Sequence, residues 1–367
     1  MSEYGALDYD ASWSTEPFET YLEQKAERDD LTAHRLTQIR RVLIEAPATT
    51  SYLAWDERID WRSGMTVSDG WQFLRQLREA GLAERTVAEY TRIVQSFLRT
   101  LLERGVVDSN PVAYVRDQTE FETTATHKVE RSVSEVAQLL QSVPDPQYQA
   151  AGILFAKTGI RNGECVNIDL SHLNLDHTGY RSFLRERGIP LHNRVADRPD
   201  ALYIPSEPTM GETYRGERRK AGNKRDRETI IPIDNETKTA LLRWVAQRPR
   251  TPSPHPLWVG KRGTDRISMH SFGNLLTGRY AAESGFVSSA NEESFTPHWF
   301  RHMFTTQLKP GHGDHPRSVD LATLRYLRGD VISDVTEVYT HDWGNTVRES
   351  YLDAVYRFGV FGSTGSC

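Results

Sequence analysis

The sequence predicts a mainly α protein with a small β-hairpin or sheet in its second half. Three observations predict it. Apolar residues recur at helical spacing through most of the chain, one polar stretch lacks any periodicity, and two short β-rich runs flank a basic, glycine-containing segment. The 367 residues are too many for one ordinary core and suit two domains of about 100–200 residues each.

Residues 1–15 read as a frayed, acidic terminus. Phe18, Tyr21 and Leu22 open the helical pattern, and Leu36, Ile39, Val42 and Leu43 repeat it. Trp71, Leu74 and Leu77 form a third stripe that stops at Gly81. Thr86 and Glu89 read as a capping box for a fourth helix, whose face is Val87, Tyr90, Ile93, Val94, Phe97, Leu98 and Leu101. It ends at Gly105, and Asn110-Pro111 blocks continuation. Residues 16–116 are therefore expected to form a small helical bundle, and the polar 117–130 a linker.

The second domain is expected over 131–360. Ser132 and Glu135 make another capping box, ahead of Val136, Leu139 and Leu140. A helix over 147–157 delivers Thr158-Gly159-Ile160-Arg161. Within 176–233 the runs ALYIP and ETIIPI are strand-like and enclose the basic 211–227, a hairpin or small-sheet signal. After Thr237 helical periods return and continue to the end.

Composition narrows the function. Hydrophobic residues at 38%, with eight Trp and thirteen Phe, suffice for packed cores. No apolar run reaches the roughly 18 residues of a membrane span. The start, MSEYGALDYDASW, lacks the basic and apolar regions of a secretory signal, so a cytoplasmic protein is expected. Cys165 and Cys367 cannot build a disulfide framework or a cysteine zinc site. A net charge of −5 offers nucleic acid no overall attraction, so any such contact must be local. RGERRKAGNKRDR (215–227) is the densest basic segment, which makes Lys220, Arg225 and Arg227 candidate DNA contacts, with Arg40 and Arg41 on an N-terminal helix.

Four segments carry chemistry: TGIRNGE with Arg161 and Glu164, NKRDRETIIPID with Lys224, TPHWFRH with His298 and Arg301, and LRGDVISDVTEVYTH with Tyr339. Singly each is bland. An R-x-x-E is usually a surface ion pair, an H-x-x-R a solvated face, a loop lysine a solubilising charge and a lone Tyr a core aromatic. Together they match phosphodiester exchange. Two guanidinium forks hold the non-bridging oxygens of a pentacovalent phosphorus, where negative charge grows. A Tyr hydroxyl attacks phosphorus, a Lys protonates the departing oxygen, and a His near neutrality manages the Tyr proton. That chemistry asks for no metal or cofactor, since the arginines supply the electrostatics. A zinc site at His298, His302, His312 and His315 is set aside because no carboxylate or cysteine falls in a matching frame.

On these segments the chain resembles the tyrosine recombinases of the phage-integrase family, and most of all their archaeal integrase branch. The family's T-G-[ILM]-R-x-x-E box is similar to Thr158–Glu164, its H-x-x-R box to His298–Arg301, and its I-Y-T-H box to Val338–His341. The hairpin lysine, eight residues before the strand proline, corresponds to Lys224 ahead of Pro232, with Lys220 as the second candidate. The resemblance implies an N-terminal helical, SAM-like core-binding domain followed by a catalytic domain. It further implies a 3′-phosphotyrosine intermediate, double-stranded DNA as partner and a homotetramer on DNA. Arg161, Lys224, His298, Arg301 and Tyr339 would be catalytic, with Glu164 and Asp330 supporting them. One slot departs: where the family carries Leu-Gly-His nine residues before the nucleophile, this chain has Arg328-Gly329-Asp330. Tyr351 and Tyr356 compete for the nucleophile's role, although Val347, Tyr351 and Val355 share i,i+4 spacing that reads as packing. A type IB topoisomerase, a telomere resolvase or a DNA-binding regulator on the same fold are the rival readings.

Overall fold

The computed structural model describes residues 12–28, 33–43, 65–122, 130–225, 227–263, 265–287, 295–312, 316–330 and 346–362. They belong to two compact units, Met1–Ala125 and Thr126–Cys367. The architecture is mainly helical with small antiparallel sheets. Among the described residues no helix is long and apolar enough to cross a membrane.

Among the described residues of the first unit the regular elements are helices: α1 (Ser12–Thr15), α2 (Pro17–Arg28), α3 (Ala33–Leu43), α4 (Val67–Glu79), α5 (Glu84–Glu103) and α6 (Pro111–Asp117). Its core gathers where the apolar stripes meet. Phe97 is fully buried, stacks on Phe18 at 4.9 Å and takes the edge of Tyr21 at 5.3 Å. Two local expectations are corrected. α5 begins at Glu84, so Thr86 sits inside its first turn, and Glu89 pairs with Arg92 and Arg35 instead of capping. Among the described residues of this unit the capping box is Thr66–Asp69, at the start of α4. Of the stripe expected on α4, Trp71 is exposed, while Phe73 joins Leu74 and Leu77 inside. Asn110-Pro111 has a second role beyond ending a helix: Asn110 caps α6 through the Ala113 amide and Pro111 fills its first turn.

The second unit is built around one helix. α7 (Val133–Ser142) opens with the expected Ser132–Glu135 box, and α8 (Pro146–Thr158) is buried on nearly every side. A helix apolar all round belongs in the middle of a fold. Gly159, left-handed at φ 61°, ends it, and α9 (Asn162–Val166) starts immediately after. A 3₁₀ turn at Leu170–His172 leads to β1 (Leu173–Asn174). β1 pairs with β2 (Ala201–Ile204), which pairs with β5 (Thr229–Pro232), all antiparallel. The ALYIP and ETIIPI runs thus meet, with Leu202 opposite Ile231. Between β1 and β2 lie α10 (Thr178–Glu186) and α11 (Asn193–Ala196), helices absent from the strand-like expectation for 176–233.

β3 (Thr213–Tyr214) and β4 (Glu217–Arg218) form a separate hairpin in the basic segment. Next come α12 (Asn235–Gln247), α13 (Met269–Ser271) running through a π-helix at Phe272–Tyr280 into α14 (Ala281–Glu283), and α15 (Pro297–Leu308). α16 (Leu321–Arg328) and α17 (Arg348–Ala354) follow. The expectation of continuous helix after Thr237 fails between 248 and 268. There Pro249, Pro252, Pro254 and Pro256 cannot donate helical hydrogen bonds, and the buried Arg248 guanidinium serves the Pro256 and Leu257 carbonyls instead.

α8 carries a charge into this core. Lys157 is fully buried, and its Nζ lies 2.6 Å from Asp234 Oδ2 and 2.7 Å from Glu236 Oε2. Glu236 also accepts the Phe358 and Val360 amides at 2.9 Å each, which fastens the C-terminal segment to α12. Lys157→Ala would leave two nearly buried carboxylates uncompensated, at a cost of about 3–5 kcal/mol. Urea unfolding is expected to show that loss as a lower midpoint, and an unchanged midpoint would show that the carboxylates find other partners.

Candidate active site

The C-terminal end of α8 places the first arginine. Gly159 and Ile160 turn the chain, and Arg161 becomes the N-cap of α9 with Glu164 three residues on. The Arg161 amide donates to Glu164 Oε2 at 2.8 Å and its Nη1 to Oε1 at 2.9 Å, so the R-x-x-E spacing forms the expected pair. Glu164 is 1% exposed, and Arg225 Nη2 reaches its Oε2 at 3.1 Å. Gly163 permits this approach, since a Cβ there would lie 2.4 Å from the Gly222 carbonyl oxygen of the incoming loop.

Arg301, on α15, ties three elements together. Its Nη1 donates to the Gly159 and Arg328 carbonyls at 2.8 Å each, and its Nη2 to Asp330 Oδ1 at 2.5 Å. Arg161 Nη2 donates to the same oxygen at 3.2 Å. Two arginines from distant parts of the chain thus converge on one anionic oxygen. Burial, with Arg161 close by, pulls the Arg301 guanidinium down to about 10 against the opposing pull of Asp330, which leaves it charged at neutral pH. Asp330 follows Gly329, the left-handed cap of α16. A side chain at Gly329 would also strike Arg225, whose Nη1 lies 2.6 Å from where a Cβ would stand.

Arg225, expected to contact DNA, is 5% exposed and engaged with Glu164 and the Leu327 carbonyl, so that expectation is corrected. Its neighbour Lys224 is exposed. On the other side Asn223 is buried, accepts from Asn167 at 3.0 Å and donates to the Pro205 and Glu207 carbonyls. Lys224 therefore projects from a loop pinned on both sides, one residue from a side chain bonded to Glu164. Lys220 is exposed, and Arg227 lies over the Tyr326 ring at 5.4 Å. The hairpin itself is fastened by Asp169, fully buried, which accepts from Arg219 at 2.9 Å and Arg266 at 2.5 Å. Burial alone would raise the Asp169 carboxyl, but Arg266, His172 and Arg219 hold it below its ordinary value.

His298 and Arg301 share α15, where Arg301 is buried and His298 exposed with its ring 4.8 Å from that of His302. Tyr339 and its box, 338–341, lie outside the described residues. Both competing tyrosines are described. Tyr351 and Tyr356 are fully buried and donate to the Lys157 and Ala156 carbonyls at 2.5 Å each, and burial pushes both phenols up. Both hydroxyls are thus committed to backbone carbonyls of α8. Of the N-terminal candidates, Arg41 is exposed, and Arg40 is paired through both Nη atoms with Glu19.

Sequence reading missed the buried roles of Arg225, Asn223 and Asp169. Composition held no signal for them, because a basic run reads as solvent-facing until its buried acid partners are located.

Glu164 balances Arg161 and Arg225 together. Glu164→Gln keeps its shape and removes the charge, leaving Arg225 buried with one anionic partner fewer. A loss of about 3 kcal/mol or more is expected in chemical denaturation. A stability within experimental error of the parent would mean that Glu164 does not hold this cluster.

No protein-family profile matches the chain. Among curated proteins it is 24% identical over 335 residues to tyrosine recombinase XerC of Roseiflexus castenholzii, covering 89% of this chain and 88% of that one. It is 24% identical over 278 residues to tyrosine recombinase XerD of Listeria monocytogenes, covering 73% and 75%. Among solved structures, a lambda integrase dimer bound to a core site aligns over 88% of this chain and 98% of its own, with a TM-score of 0.55 and 13% identity. The Tn1549 transposon integrase bound to transposon right-end DNA aligns over 89% and 94%, with a TM-score of 0.55 and 15% identity. The structural likenesses show the shared fold.

Proposed function

We propose that this chain, a distant member of the tyrosine recombinase family, cuts and rejoins duplex DNA at specific sites through a covalent 3′-phosphotyrosine, in DNA integration and recombination. One observation carries the reading: Arg161 Nη2 and Arg301 Nη2 converge on a single anionic oxygen, in the arrangement that a non-bridging phosphate oxygen requires.

In this mechanism Tyr339 Oη attacks phosphorus, the Tyr–phosphate bond forms, and the bond to the 5′-oxygen breaks. Lys224 gives the departing 5′-oxygen its proton, and His298 manages the proton of the tyrosine. The arginines are held in advance by Glu164, Gly159 and Arg328, so they need little rearrangement as charge grows on phosphorus. Rejoining is the reverse: a 5′-hydroxyl attacks the phosphotyrosine and Tyr339 leaves. The partner is double-stranded DNA, engaged by a homotetramer. Lys220 and Arg227 of the basic segment, with Arg40 and Arg41, contribute contacts to its backbone.

Tyr339→Phe removes only the attacking oxygen. On a nicked suicide substrate, DNA binding is expected to persist while the covalent adduct disappears. An adduct formed by the Phe variant would move the nucleophile to another residue, which peptide mapping would identify.

The general acid is tested separately. A 5′-phosphorothiolate at the scissile position supplies a leaving group that needs no proton. Lys224→Ala is expected to recover cleavage on this substrate and Arg161→Ala is not. Rescue of both variants, or of neither, would assign the proton to another group, with Lys220 next in order.

A further inference from the structure

Asp330 occupies a place that no part of the mechanism uses. Its Oδ1 takes the Nη2 donors of both Arg161 and Arg301. The Nη1 donors of these arginines are committed elsewhere, that of Arg161 to Glu164 and that of Arg301 to the Gly159 and Arg328 carbonyls. The donors on which a phosphate oxygen would settle therefore already hold a carboxylate oxygen. A phosphodiester entering beside it would meet a like charge at contact distance, and an anion cannot share that seat without cost.

A second partner for the carboxylate stands next to it. Arg328 Nε lies 3.1 Å from Asp330 Oδ2, yet among the described residues this buried N–H is not aligned on any acceptor. It has hydrogen-bonding capacity in reserve. Asp330 is also only partly buried, its side chain 25% exposed. Among the described residues, Arg161, Arg225, Arg301 and Arg328 stand around it as cations, with Glu164 as the other anion.

We propose that Asp330 is an exchangeable counter-ion: it holds the phosphate's seat between Arg161 and Arg301 in the free protein, and an entering phosphate displaces it onto Arg328. This rests on the phosphate-clamp reading above. The consequence is selectivity. A lone phosphate must evict the carboxylate unaided, whereas a DNA duplex brings contacts elsewhere that offset the exchange. Asp330 is a positioning residue here, acting through the two arginines.

The test titrates inorganic phosphate into the full-length protein, followed by calorimetry, for the parent, Asp330→Asn, Asp330→Ser and Arg161→Ala. Both Asp330 variants are expected to bind phosphate about tenfold more tightly, on the order of one close, partly solvated charge. Arg161→Ala is expected to lose binding. Arg328→Gln should weaken phosphate binding more in the parent than in the Asp330→Asn background, a coupling that a purely structural role would not produce. If Arg161→Ala abolishes binding but both Asp330 variants bind no more tightly than the parent, the counter-ion proposal fails while the clamp stands. If Arg161→Ala binds phosphate as the parent does, the clamp fails and the proposal with it.

Discussion

A helix that ends inside a protein leaves its last carbonyls without partners, and burial away from water makes each one costly. α8 ends this way. Gly159 closes back onto the Phe155 carbonyl, but the Ala156 and Lys157 carbonyls need donors that local chain cannot supply. They come from Tyr356 and Tyr351, while the Gly159 carbonyl receives Arg301. Three donors from far along the chain are thus drawn to one helix end, and that end is where Arg161 begins the next helix. Satisfying a buried helix terminus and assembling the two arginines are the same event.

The second constraint is charge. Arg225 and Arg301 are almost fully buried, and Arg161 and Arg328 are partly so. Such a group of cations is tolerable only with anions in contact. Glu164 serves Arg161 and Arg225, and Asp330 serves Arg161, Arg301 and Arg328. Because Glu164 is shared with Arg225, the loop bearing Lys224 is drawn against α9, and this explains why Gly163 has no side chain to obstruct Gly222. Asp169 repeats the device at the base of the hairpin with Arg219 and Arg266.

These constraints also explain what was legible in the sequence. Contacts of short range could be read: Ser132 with Glu135, and Arg161 with Glu164, depend only on helix-start geometry that three-residue spacing determines. The strand runs before and after the basic segment were readable because β-rich residues at that length have few alternatives. Thr86 and Glu89 misled because the spacing of a capping box also occurs inside a helix, and only burial and partners decide where the first turn lies. Trp71 misled because periodicity assigns a stripe without saying which edge of it meets solvent. The Asp330 contacts were beyond reach, since Arg161 is 169 residues away and the pairing exists only once α8, α15 and α16 have met.

On the proposed reading, the burial of the candidate site residues divides along chemical function. Arg301 and Glu164 are buried, and a group whose task is a constant field gains from low dielectric and from being unable to move. Lys224 and His298, to which the proposed mechanism gives the proton transfers, are exposed, and groups that exchange protons need contact with substrate and solvent. The one lysine buried in this core among the described residues, Lys157, is instead held between the Asp234 and Glu236 carboxylates. The two tyrosines locked under α8 complete the contrast, with phenols whose ionisation is suppressed and whose oxygens are committed as donors to backbone. On the proposed reading, fixed buried arginines and exposed proton-handling groups follow from elementary electrostatics once phosphate is the reacting group. The same division would be expected of any scaffold that performed such chemistry with arginines in place of a metal ion.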